Sequence, residues 1–205
     1  MTRAGADRAS STSTEPGPGV ERLLLVRHPK PAVAPGTCYG STDVGVDPDD
    51  ARALLARLVA TLPRHARLAS SPLRRCADLA HALADHGWPA PRLDARLAEM
   101  HFGDWEGRPW DDIPRAQVDA WSADVARYVP PGGESVQMLA ARATRAVLDL
   151  VAEMDGALII VTHAGVIQTV TRTLSGAPLE GFGGTRVEYG QVVSLRRAGR
   201  AFVRE

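Results

Sequence analysis

The chain has 205 residues, 24 basic and 24 acidic side chains, a formal net charge of zero and a pI near 7. That length fits one domain, and a domain burying roughly 70% of its unfolded surface needs neither disulfides nor a metal to fold. The balanced charge argues against a nucleic-acid-binding face and against a basic surface that docks on membranes. Cys38 and Cys76 lie in separate segments with no CxxC pair, which points to two reduced thiols and no zinc or disulfide framework. No apolar run approaches the ~18 residues that span a bilayer. The N-terminus has no apolar stretch of the secretory kind, so a cytoplasmic location is expected.

In chain order, residues 1–19 are small and polar, rich in Ser, Thr, Pro and Gly. They bury too little apolar area to offset the entropy of ordering, and a disordered tail is expected, followed by a domain over 20–205. RLLLVRH at 22–28 is an apolar run with the character of a strand buried on both faces. Residues 49–62 repeat apolar positions at helical spacing, open on Asp residues and stop before Pro63. RLASS at 67–71 reads as a second strand, and Pro72 opens a helix to Ala84 that Gly87 closes. An extended segment at 91–97 leads into a loop dense in Gly, Trp and Asp that runs to Pro114. Helices are expected at 115–127 and 134–154, the second capped by Glu134 and Ser135 and separated from the first by the Pro-Pro-Gly-Gly turn at 130–133. ALIIVTH at 157–163 is a buried strand, 164–174 a helix, and QVVSLRR at 191–197 a late strand. Strands alternating with helices predict a three-layer α/β/α sandwich on a mainly parallel sheet.

Two of these strands end in histidine, His28 and His163. In open α/β sheets the ligand crevice lies beyond the carboxyl ends of the strands. If the strands are neighbours, Arg27, His28, His163 and the Arg74-Arg75 pair surround one crevice, and such a concentration of cations calls for an anion. Phosphate suits it, because guanidinium binds phosphate oxygens bidentately. The helix opening at Ala164-Gly165 adds backbone N–H donors and the positive end of a dipole. An imidazole held between arginines stays unprotonated and nucleophilic near neutral pH. A departing alkoxide then needs a proton, and Glu99 is the candidate donor, with Asp104 and Glu106 as competitors. Zinc ligation by His28 and His163 lacks a third ligand at any suitable spacing. His65, His81, His86 and His101 are read as surface or packing residues.

LLLVRHPKP, SSPLRR, LAEMHFGDWEG, PPGGES and LIIVTHAG, in this order, resemble the histidine phosphatase superfamily, which has the phosphoglycerate mutase-like fold. The resemblance covers residues 22 to about 197. It implies a phosphomonoester hydrolase that works without metal or cofactor through a phosphohistidine. In that scheme His28 is the nucleophile, Arg27 and Arg75 are the phosphate clamps, His163 is the second pocket histidine and Glu99 the proton donor. Arg74 falls at a variable position. The family usually has Gly after the RH pair, where this chain has Pro29, which removes a backbone N–H from the pocket edge. The segments 36–48 and 99–114 look most like those of alpha-ribazole phosphatase, implying a small phosphomonoester partner such as alpha-ribazole phosphate or a cobalamin phosphate. Tyr39, Gly40, Ala164 and Trp105 are the expected substrate contacts, with Phe102 and Trp110 available for stacking. A phosphoglycerate mutase and a non-catalytic phosphate-binding scaffold are the competing functions. The short span from Glu99 to His163 favours hydrolysis over the first, and the retained nucleophile and acid disfavour the second. Oligomeric state is left open, a homodimer included.

Overall fold

A computed structural model describes residues 19–199 and 201–205. The expected tail at 1–18 therefore lies outside the described residues. Gly19, the last residue assigned to it, is bridged to Asp155 and so belongs to the folded part.

Six strands form one sheet: β1 (Val20–Arg27), β2 (Arg67–Ser70), β3 (Arg92–Leu93), β4 (Gly156–Thr162), β5 (Val192–Ala198) and β6 (Ala201–Arg204). Their order is β3-β2-β4-β1-β5-β6. The four strands from β3 to β1 are mutually parallel, while β5 runs antiparallel to both β1 and β6. The sheet is thus mainly parallel, with one reversed strand. Only the hairpin partner β6 has no counterpart in the sequence reading: AFVR is too short to show a period. The segment 91–97 contributes just two strand residues before turning into a 3-10 turn at Ala95–Leu97.

There are five helices, α1 (Pro48–Thr61), α2 (Arg74–Asp85), α3 (Arg115–Ala123), α4 (Val136–Glu153) and α5 (Ala164–Leu174); all but α3 cover the sheet. Successive strand side chains point to opposite faces, so each central strand feeds two cores. Leu23, Leu25, Leu158 and Ile160 pack against α4 and α5 through residues such as Leu139, Val147 and Val166. Leu24, Val26, Ile159 and Val161 pack the other way, against Leu54 and Leu58 of α1 and Leu79 and Leu83 of α2. This is why β1 and β4 read as continuous apolar runs. Helix starts follow local chemistry: Asp47 accepts the N–H groups of Asp49 and Asp50 before α1, and Ser135 accepts that of Met138 before α4. A third, smaller core lies under the 99–130 segment, where Cys38, Trp105 and Ile113 are buried among Phe102, Trp110, Trp121 and Tyr128.

Candidate active site

The site begins with strand register. β1 and β4 pair residue for residue from Leu23–Leu158 to Arg27–Thr162, and the next residue on each is histidine. His28 N–H donates to the Thr162 carbonyl at 3.0 Å, and the two imidazole centroids stand 5.1 Å apart at 60°. Both rings are buried, His28 1% exposed and His163 not at all.

His28 Nδ1 lies 2.6 Å from the carbonyl oxygen of Pro29. A carbonyl only accepts, so Nδ1 carries the hydrogen and Nε2 keeps its lone pair. Proline at this position removes a backbone donor, yet its carbonyl still sets the tautomer. Burial, then the charge of Arg75 and that of Arg27, push the His28 imidazole down to about 3 against the opposing Pro29 hydrogen bond. His163 is oriented on both sides: Arg75 Nε donates to Nδ1 at 3.3 Å, and Nε2 sits 2.8 Å from Ser71 Oγ. Burial first, then the charges of His28 and Arg75, hold His163 well below the ordinary imidazole value. Both rings are therefore neutral at physiological pH.

The two guanidiniums are positioned by carbonyls. Arg75, the second residue of α2, donates to the carbonyls of Thr42 at 2.8 Å and Gly40 at 2.6 Å. Arg27 Nη1 donates to the Val187 carbonyl, while its Nε is buried with no acceptor. Neutral acceptors fix these side chains without cancelling their charge, and the orphaned Nε is a donor that an anion would satisfy. Gly40 is required here. Its φ is +37°, and a Cβ would meet Glu106 Oε1 and the Met100 carbonyl oxygen at 2.5 Å.

Glu99 reaches the site from the loop after the 3-10 turn. Its carboxylate accepts from Met100 N at 3.0 Å and from Gly165 N, in the first turn of α5, at 3.1 Å. Arg142 of α4 anchors that loop, donating to the carbonyls of Arg96, Ala98 and Glu99. Glu134 completes the staple by pairing with Arg142 and accepting His101 N–H. Ala164 opens α5, in the turn whose N–H groups have no intrahelical acceptor.

Several sequence expectations are redistributed by the structure. Trp105, expected as a substrate contact, does not line the cleft: it is fully buried, donates to Gln117 Oε1 at 2.7 Å, and packs among Phe102, Trp110, Trp121 and Tyr128. Its amphipathic ring reads identically in sequence whether it caps a ligand or fills a core. Phe102 and Trp110 are half-buried and line a cleft with Tyr39, Gly40 and Glu99. Glu106 is committed to the neighbouring loop, where its carboxylate accepts from Ser41, Thr42 and Phe102. Burial alone would raise its pKa, but these bonds together hold it below the usual carboxylate value. Asp104 is exposed, as are His65, His81, His86 and His101. Ser71, Arg142 and Tyr189 are site residues that the sequence reading did not single out. Ser71 is the one the sequence could have marked, because it directly follows β2 on the way into Arg75.

Among the described residues no three His, Cys, Asp or Glu side chains converge as a metal site requires, and no helix is long and apolar enough to cross a membrane. Residues 23–204 match the family model described as the histidine phosphatase superfamily, branch 1. The chain is 32% identical over 173 residues to the glucosyl-3-phosphoglycerate phosphatase of Mycolicibacterium vanbaalenii, covering 78% of this chain and 77% of that one. It is 30% identical over 182 residues to the adenosylcobalamin/alpha-ribazole phosphatase of Salmonella typhimurium, covering 82% and 87%. Among solved structures, mycobacterial glucosyl-3-phosphoglycerate phosphatase with VO3 superposes with a TM-score of 0.77 at 27% identity, over 90% of this chain and 97% of that one. The alpha-ribazole phosphatase of Shigella flexneri gives 0.78 at 25% identity, over 90% and 94%. A paired-histidine pocket at the carboxyl edge of this sheet and a family match across nearly all described residues lead to one conclusion: the chain belongs to branch 1 of the histidine phosphatase superfamily and is a phosphoric monoester hydrolase.

Proposed function

We propose that the chain hydrolyses a small phosphomonoester by transferring the phosphoryl group to His28 Nε2. The observation that carries this reading is the His28 tautomer: Nδ1–H is committed to the Pro29 carbonyl, and the opposite nitrogen holds a lone pair beside two guanidiniums. Nε2 attacks phosphorus in line while the bond to the ester oxygen breaks. Arg27 and Arg75 balance charge on the transferring oxygens, and neutral His163, accepting from Arg75 at Nδ1 and bonded to Ser71 at Nε2, holds the Arg75 guanidinium in place. Glu99 gives its proton to the departing alkoxide. In the second step Glu99, now a carboxylate, takes a proton from water as the water oxygen attacks phosphorus. That restores neutral His28 and releases inorganic phosphate.

For the substrate, the aromatic cleft beside Glu99 (Tyr39, Phe102 and Trp110) supports a phosphate carried on a nucleoside-like group, such as alpha-ribazole phosphate or a cobalamin phosphate. The Salmonella relative supports the same choice. A second reading, glucosyl-3-phosphoglycerate, is favoured by the Mycolicibacterium relative. Comparing kcat/KM for the two compounds in EDTA separates them, and equal values for both and for p-nitrophenyl phosphate indicate a broad-specificity phosphatase. His28→Ala is expected to lose at least about three orders of magnitude in kcat, and rapid acid-free quenching should trap an acid-labile, alkali-stable phosphoenzyme only with His28 present. Turnover that survives His28→Ala overturns the mechanism, and isomerisation dependent on 2,3-bisphosphoglycerate would mark a mutase.

A further inference from the structure

Tyr189 stands in the turn between Glu188 and Gln191, just before β5. It is 36% exposed and belongs to none of the three apolar cores. Its ring lies instead on two catalytic groups. The Arg27 Cζ is 3.7 Å from its centroid, and the His28 ring centroid is 5.7 Å away at 47°. The turn is pinned from three sides. Gly190 N–H donates to the His28 carbonyl at 3.2 Å, Arg57 donates to the Gly190 carbonyl at 2.8 Å, and Gln191 N–H closes onto the Glu188 carbonyl at 3.0 Å. Gly190 has φ +68°, and a Cβ there would meet Arg57 Nη2 at 2.6 Å and Leu54 Cδ1 at 2.7 Å. A pinned turn, presenting a solvent-exposed aromatic to a cation, is not explained by packing.

The same short segment holds Arg27 at two points, because the Val187 carbonyl accepts from Nη1 while Tyr189 covers the guanidinium face. With one face covered, the guanidinium is held so that its edge, where its N–H groups point, is turned to an anion; the buried, unpartnered Arg27 Nε lies on that edge. Across the pocket Tyr39 repeats the arrangement at longer range, its ring 5.3 Å from Arg75 Cζ, and the two tyrosine hydroxyls meet at 3.3 Å. Each clamp arginine thus has a tyrosine on its face, and the tyrosines touch over the space between.

We propose that Tyr189 is a positioning residue for phosphoryl binding: the face of its ring holds Arg27 edge-on to the bound phosphate, and its hydroxyl contact with Tyr39 adds only a minor brace. The role rests on the phosphohistidine reading above, in which Arg27 binds the transferring phosphoryl group. Tyr189 itself need not touch the ester group, so its effect is independent of which alcohol carries the phosphate.

The test uses the full chain, p-nitrophenyl phosphate as substrate and orthovanadate as inhibitor. Tyr189→Leu should raise both KM and the vanadate Ki about tenfold, the scale of a partly desolvated cation–π contact. Tyr189→Phe, which keeps the ring and loses only the hydroxyl, should return Ki to within about threefold of the parent. In an Arg27→Ala background, Tyr189→Leu should add nothing further, because its effect runs through Arg27. Unchanged KM and Ki in Tyr189→Leu, a Phe variant as impaired as the Leu variant, or full additivity with Arg27→Ala overturns the proposal. Failure of the phosphohistidine reading is distinguishable, since it appears as turnover in His28→Ala whatever Tyr189 does. Trapping of phosphoenzyme by Tyr189→Leu at saturating substrate checks that the variant is folded and competent.

Discussion

Arg74 and Arg75 are adjacent and chemically identical, yet they end in opposite environments. Arg74 is exposed, with its N–H on Asp43 Oδ1 at 2.8 Å, whereas Arg75 is 1% exposed and held by two carbonyls and a histidine. Neighbouring residues at a helix start project about 100° apart, so only one can face the sheet edge. The carbonyls that hold Arg75 belong to a loop that depends in turn on Glu106, which accepts both N–H groups of Ser41 and Thr42. Glu106→Ala should strand those donors and cost about 2–4 kcal/mol, measured by urea denaturation, with a rise in KM as Arg75 loosens. Glu106→Gln, which can satisfy only part of the set, should fall between. A variant with unchanged stability and KM would show that the loop stands without the carboxylate.

At the scale of elements, Glu99, the proposed acid, meets the first turn of α5 at Gly165 N–H. Gly165 is in a helix, where alanine is normally preferred by nearly 1 kcal/mol. Here a Cβ would lie 2.4 Å from Glu99 Oε1 and 3.3 Å from Leu139 Cδ2. Gly165→Ala should therefore displace the acid and lower kcat about a hundredfold while leaving the melting temperature nearly unchanged. The loss should be larger for an alkyl phosphate than for p-nitrophenyl phosphate, whose leaving group needs little protonation. Equal losses on the two substrates would mean that Glu99 is not the group disturbed. The 99–130 segment illustrates a different compromise: Phe102 turns toward both the Trp105 cluster and the cleft, so one aromatic element serves packing and site at once.

For the whole molecule, keeping two imidazoles buried and neutral links stability to pH. Unfolded histidine titrates near 6.5, whereas His28 is held down to about 3 and His163 is held in the same direction. Between these limits the unfolded chain binds more protons than the native one, so stability rises with pH and is lost as pH falls below about 6.5. Each ring contributes at most about 1.4 kcal/mol per pH unit. Urea denaturation at pH 6.5 and pH 5 should differ by up to about 3 kcal/mol for the pair, and His28→Asn should remove about half of that difference. Orthovanadate, an anion that would favour the protonated imidazoles, should flatten the dependence. A profile unchanged by His28→Asn would place the acid sensitivity elsewhere.

Much of this arrangement was legible in the chain itself. The apolar runs ending at His28 and His163 specify strands buried on both faces, and burial on both faces with intervening helices means a parallel sheet whose carboxyl edge carries both imidazoles. Short-range chemistry also set the helix starts at Asp47 and Ser135. What local pattern does not contain is register, burial and the identity of distant partners. Whether Trp105 lies on a ligand or in a core depends on Gln117 and Tyr128, which come from other parts of the chain. That Arg75 is gripped by Gly40, that Arg142 carries the Glu99 loop, and that Tyr189 covers Arg27 across 162 positions of sequence are outcomes of tertiary packing alone. Sequence periodicity determines which face of an element is buried; only the closed fold determines what stands against it.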